Sequence, residues 1–124
     1  MRAPEPFDSD QVRAAERRVT DALAASDVNA WVYEYTEDAV LLEPAAPPVS
    51  GRAALLRLAH SMKPIASATI NSDHIEGSGN VAYWYGTAIR NSGRSPDAAS
   101  TTRVPSDGAW RIALEAFLPL EAAE

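Results

Sequence analysis

Glu43 stands immediately before Pro44, at the end of the apolar run Ala39-Val40-Leu41-Leu42, where a proline-rich loop turns the chain. A carboxylate at a strand end beside apolar walls can serve as a general base, because burial disfavours its charged form and brings its pKa toward neutrality. The same carboxylate has a plainer role open to it, as an ion-pair partner of Arg52 or Arg103. His60, one step from Ala59 on an apolar-periodic run, is the second titratable candidate, placed to tilt toward a pocket mouth. His74 alternates with Ala66, Ala68 and Ile70, which suits a partly buried or interface histidine. No ligand spacing links Glu43, His60 and His74, and the chain has no cysteine, so neither a metal site nor thiol chemistry is expected. The letters Gly77-Ser78-Gly79-Asn80-Val81-Ala82 match a dinucleotide fingerprint, but that motif needs a helix after the glycines. Val81-Ala82-Tyr83-Trp84-Tyr85 is strand-forming instead, and no cofactor is expected.

The elements that must position these residues are legible from periodicity and turn chemistry. Residues 1–7, with Pro4 and Pro6, read as a flexible arm, residues 8–120 as one domain and residues 121–124 as a loose tail. Asp8 or Ser9 caps a first helix over about residues 9–25, carried by Val12, Ala15, Val19, Ala22 and Leu23. Ser26 and Asp27 cap a second, in which Val28, Trp31, Val32 and Tyr35 form one face. Ala39–Glu43 is a short strand that Pro44, Pro47 and Pro48 end. From Gly51, Leu55, Leu58, Ala59 and Met62 recur at helical spacing until Pro64 stops the helix.

Beyond Pro64 the period becomes two. Ile65–Glu76 and Val81–Arg90 are strands joined at Gly77-Ser78-Gly79-Asn80. Ala98–Pro105 and Ala109–Leu118 are joined at Ser106-Asp107-Gly108. Helices first and antiparallel strands after argue an α+β domain with the helices on one face of a curved sheet. Simple alternation groups Tyr83, Tyr85, Thr87 and Ile89 against Ala82, Trp84, Gly86 and Ala88. In the last strand it groups Trp110, Ile112, Leu114, Ala116 and Leu118 against Arg111, Ala113, Glu115 and Phe117.

The chain has 124 residues, enough for one self-sufficient core. Its hydrophobic fraction is 46%, no apolar run is long enough to span a bilayer, and the first residues lack the apolar middle of a secretory signal. A cytoplasmic site away from membranes is the expectation. The net charge of −6, and the interruption of Arg13, Arg17 and Arg18 by Glu16 and Asp21, argue against nucleic acid as a partner.

Three stretches together resemble a known superfamily: Tyr35-Thr36-Glu37-Asp38-Ala39-Val40-Leu41-Leu42-Glu43-Pro44, Val49-Ser50-Gly51-Arg52, and Asp107-Gly108-Ala109-Trp110-Arg111-Ile112. They are similar to nuclear transport factor 2-like proteins, and more narrowly to the SnoaL-like and ketosteroid isomerase-like members, over about residues 9–118. The resemblance implies a cone, in which a bent sheet wraps three helices around an apolar pocket, and a homodimer formed through the sheet's outer face. It places Glu43 where the isomerases hold the carboxylate that shuttles a proton. It places Val19 where they have a tyrosine on the first helix, and Thr101 or Thr102 where they have a protonated aspartate. It implies a pocket lined from the helices by Val19, Trp31, Tyr35, Leu55, Leu58, Ala59 and Met62. From the sheet, the lining would be Tyr85, Thr87, Thr102, Leu114, Ala116 and Leu118, with Trp84 and Phe117 turned outward under a dimer partner. The activity implied is cofactor-independent proton transfer, as isomerase, cyclase or lyase, on a small apolar carbonyl compound. The alternative is a non-catalytic ligand-binding or association domain of the same fold.

Overall fold

In the computed structural model, the described residues are 8–43, 46–61, 69–89 and 97–119. The expected arm at 1–7, the pocket residue Met62 and the tail at 121–124 lie outside them. Helix α1 spans Ser9–Ala24, capped by the Asp8 carboxylate, which accepts from the Asp10 amide at 2.9 Å. Helix α2 spans Val28–Tyr33, capped in the same way by Asp27, which accepts from the Ala30 amide at 3.1 Å. A fork from Arg18 to the Glu34 carboxylate, at 3.0 and 3.1 Å, ties α1 to the end of α2. Helix α3 spans Arg52–Ser61. Gly51 enters it at φ +90°, a conformation that strains any residue with a Cβ, and its amide donates to the Ala39 carbonyl at 2.8 Å.

Six strands form one curved sheet: β1 (Tyr35–Leu42), β2 (Val49–Ser50), β3 (Thr69–Ser78), β4 (Val81–Ile89), β5 (Asp97–Ser106) and β6 (Ala109–Pro119). Their order is β2-β1-β6-β5-β4-β3. All neighbours are antiparallel except β1 and β6, which run parallel. The three helices pack on the inner face. The β5–β6 hairpin turns at Asp107 and Gly108, at φ 52° and 80°, the Asp-Gly signature of a type I′ turn.

Two sequence expectations change here. Tyr35 belongs to β1 and not to the second helix, because its backbone pairs with Ile112 in the sheet. The inner and outer faces of the later strands are also exchanged. On β4, Ala82, Trp84 and Ala88 are buried, while Tyr83 and Tyr85 are exposed. On β6, Thr102 pairs with Leu114 and Arg103 with Ile112, which leaves Ala113 as an extra residue without a partner on β5. Such a bulge resets the alternation. Trp110 and Ile112 face inward before it and Glu115 and Phe117 after it, so Leu114, Ala116 and Leu118 stand on the outer face. Tyr85, Thr87 and Thr102 share that outer face, and none of these six residues lines the interior. Trp84 and Phe117 do, contrary to the outward placement that the resemblance implied.

Arg52 and Arg111 brace the end of α2. Their guanidiniums lie 5.1 and 4.4 Å from the centre of the Tyr33 ring. Arg111 donates from Nε to the Tyr33 carbonyl at 2.9 Å, and Arg52 donates from Nη2 to the Tyr35 carbonyl. Cations suit this negative end of the helix. Arg52→Ala is therefore expected to lower the unfolding midpoint by roughly 4 °C, from one charge-assisted hydrogen bond and a cation–π contact. A calorimetric shift below about 1 °C would mark Arg52 as a solvated helix-start residue.

Candidate functional site

The inner face of the sheet carries a cluster of polar side chains that no local motif announces. Thr101 and Arg103 sit two apart on β5 and so point the same way. Glu115 reaches the same face because of the Ala113 bulge. Tyr35 enters from the first residue of β1, and Glu16 enters from the apolar stripe of α1, between Val12, Ala15 and Val19. All are buried: Tyr35 is 0% exposed, Arg103 1%, Thr101 2% and Glu115 7%.

Two hydrogen-bonded groups make up the cluster. In the first, the Tyr35 hydroxyl donates to Glu115 Oε1, and the Thr101 hydroxyl donates to Oε2 at 3.3 Å. In the second, Glu16 Oε1 accepts from the Trp84 indole N–H and from Arg103 Nε at 3.0 Å, while Arg103 Nη1 donates to the Trp110 carbonyl at 3.0 Å. Arg103 Nη2 is buried and has no hydrogen-bond partner among the described residues. Trp31 packs edge-on to Tyr35, with ring centres 5.8 Å apart.

The electrostatics follow from two carboxylates sharing one guanidinium in a dry place. Burial raises the Glu115 pKa to about 7; the Glu16 carboxylate nearby adds to the rise, while Tyr35, Arg103 and Thr101 oppose it. Burial also raises Glu16, although Arg103 and the Trp84 indole hold it back. Tyr35 is pushed well above the ordinary phenol range by burial and by the adjacent Glu115, so it stays a neutral donor. A carboxyl that titrates near neutrality, held between two hydroxyls, can both take up and return a proton.

Glu43 lies one residue beyond Leu42, where β1 last pairs with β6, and is half-buried. Of the two arginines considered for it in the sequence, Arg103 pairs with Glu16, and Arg52 bonds to the Tyr35 carbonyl. His60 is exposed in the last turn of α3. His74 lies beside the outer-face tyrosines, stacked on Tyr85 at 4.8 Å with Nε2 2.9 Å from Glu76. The described residues expected to line a pocket from the helices belong to a packed core. Val19, Trp31, Leu55 and Ala59 form one core cluster with Tyr35, and Leu58 packs against it. Among the described residues no group of three or more histidine, aspartate or glutamate side chains is placed to hold a metal ion. None of their helices is long and apolar enough to cross a membrane.

Sequence reasoning missed Glu16, Arg103 and Glu115. One signal was available for Glu16, whose position continues the helical spacing of Val12 and Val19. Arg103 and Glu115 carried only strand alternation, and for Glu115 the bulge obscured it.

A curved six-stranded sheet wrapped around N-terminal helices defines the nuclear transport factor 2-like class, also described as cystatin-like. Solved structures agree. A nuclear transport factor 2-like protein with a cystatin-like fold from Novosphingobium aromaticivorans is 18% identical with a TM-score of 0.76, over 94% of this chain and 84% of that one. One of unknown function from Shewanella oneidensis is 15% identical at 0.78, over 89% and 98%. A proposed dehydratase of the same class from Streptomyces avermitilis is 18% identical at 0.74, over 91% and 96%. Within that class, residues 16–114 match the SnoaL-like domain, and the chain belongs to this family. Comparison with curated proteins gives no match.

Proposed function

We propose that this protein binds a small, largely apolar carbonyl compound inside the cone and moves a proton on it without a cofactor, as an isomerase, cyclase or lyase. The observation that supports this is the buried Glu115 carboxyl, poised near pH 7 between Tyr35 and Thr101. In this reading Glu115 takes a proton from the carbon beside the carbonyl and returns it elsewhere, while the Tyr35 hydroxyl orients the carboxylate. Glu43, the carboxylate that the sequence suggests, is the competing base, and one experiment separates the two. Deuterium exchange into a panel of cyclic enones and ketosteroids, followed by NMR, should fall about 10²–10⁴-fold in Glu115→Gln. In Glu43→Gln it should stay within a few-fold of wild type. The reverse pattern would transfer the role to Glu43, and no exchange or binding in the wild type would leave an association domain.

A homodimer is part of the proposal, supported by the apolar outer face. Tyr85 is 50% exposed and Leu118 64%, with Leu42, Val81, Tyr83 and Leu114 exposed beside them. Tyr85, Ala98, Ser100, Ala116 and Leu118 are among the residues lining a depression of about 280 Å³ on this face. So much apolar surface on one sheet suits burial against a second copy. Sedimentation velocity at micromolar concentration should report a dimer, and Leu114→Asp a folded monomer. A wild-type monomer would contradict the assignment.

A further inference from the structure

We infer that Arg103 is the ligand-binding donor of the cluster and that the oxygen it binds is neutral, the carbonyl or hydroxyl oxygen of an apolar molecule, and not a carboxylate or phosphate. This rests on the proposed function and narrows its substrate class.

The first ground is the orphaned nitrogen. A guanidinium has five N–H donors in a fixed fork and no acceptor. Here Nε serves Glu16 and Nη1 serves the Trp110 carbonyl, while Nη2 sits in the interior with no partner among the described residues. Leaving a buried charged donor unpaired is costly, so the site is built to receive an oxygen at that nitrogen. The fork cannot swing away to satisfy itself, because Glu16 and the Trp110 carbonyl fix two of its nitrogens.

The second ground is charge. Glu16 already balances Arg103 at 3.0 Å, and Glu115 is the next carboxylate in the cluster. An anionic ligand at Nη2 would be a further negative charge with no second cation among the described residues of the cluster, in a region of low dielectric where like charges repel strongly. A neutral oxygen takes the hydrogen bond without that cost. The surroundings are apolar, with Trp84, Trp110, Ile112 and Val12 all buried near the cluster. In the proton transfer proposed above, negative charge develops on a carbonyl oxygen. A donor already aligned on that oxygen stabilises it at the moment it forms.

The test uses the full-length protein labelled with ¹⁵N-arginine and a matched probe pair, 2-acetylnaphthalene and 2-naphthoate at pH 8, with progesterone as a second neutral ketone. A neutral ketone is expected to shift the Arg103 Nε–H resonance in a saturable way, and naphthoate at the same concentration to leave it unmoved. Arg103→Lys keeps a cation beside Glu16 but loses the fork, and ketone affinity is expected to fall about tenfold. If that variant does not fold, the wild-type titration decides. Ketone binding seen at other resonances while Arg103 stays still would overturn the inference and leave the proposed function standing. Naphthoate binding as tightly as ketone, with Arg103 shifting, would overturn the neutral class. No ketone-induced shift anywhere would remove the proposed function and the inference together.

Discussion

The protein should unfold at a higher temperature at pH 5 than at pH 8, the reverse of the usual loss of stability on acidification. Glu115 is raised from 4.5 to about 7 in the folded state. Below about 4.5 both states hold the proton and burial costs nothing extra. Between about 4.5 and 7 the folded state keeps a proton that the unfolded chain releases, so each rise in pH favours unfolding. Above 7 both are ionised and the penalty is complete, at roughly 3 kcal/mol for this one group. Glu16 is raised as well and pushes the same way. Glu76 is lowered by its hydrogen bonds to Tyr83 and His74, but it is exposed and opposes the trend weakly. A difference of about 10 °C between the two pH values is expected. Glu115→Gln keeps the shape and an acceptor for Tyr35 without a titrating charge. It should match wild type near pH 5, exceed it at pH 8 and flatten the profile. A wild-type midpoint that rises steadily from pH 5 to pH 8 would show that Glu115 is ionised at little cost.

Arg103→Met alone should lose about 3–5 kcal/mol, because it strands the Glu16 carboxylate in the interior with only the Trp84 indole to answer it. Adding Glu16→Gln should restore most of that loss, since replacing the pair by neutral groups of similar volume removes the stranded charge. The sign of the recovery is the informative quantity in urea unfolding. If the double variant is no more stable than Arg103→Met, Arg103 acts by packing and by its bond to the Trp110 carbonyl, and Glu16 is reached by water.

Much of the fold was legible because its cues are local. Asp8 and Asp27 cap helices where the sequence places caps, and Asp107-Gly108 turns the last hairpin. The stripe of Val12, Ala15, Val19 and Ala22 packs inward as its spacing demands. The start of β1 was not legible. Tyr35 continues a helical face in sequence, but the Ile112 amide donates to the Glu34 carbonyl at 2.8 Å and draws the chain into the sheet. The site was harder still. Glu16 reads as one more charge among Arg13, Arg17 and Arg18, and its partners Trp84 and Arg103 lie 68 and 87 residues away. Spacing along a chain carries no trace of pairings made across a sheet.

The unpaired Ala113 has a consequence for descent as well as for shape. It is a single inserted residue that the bulge absorbs, so everything after it on β6 keeps the face and the β5 partner it would have without the insertion. A relative without it would hold Glu115 and Phe117 inside and Leu114, Ala116 and Leu118 outside by plain alternation from Ile112. Two such chains differ by one column and hold the same residues in the cone, so roles pass correctly between members of this family only after the insertion has been located and skipped. An inserted residue that no bulge absorbed would, by contrast, exchange the surface that meets other molecules for the surface that encloses them.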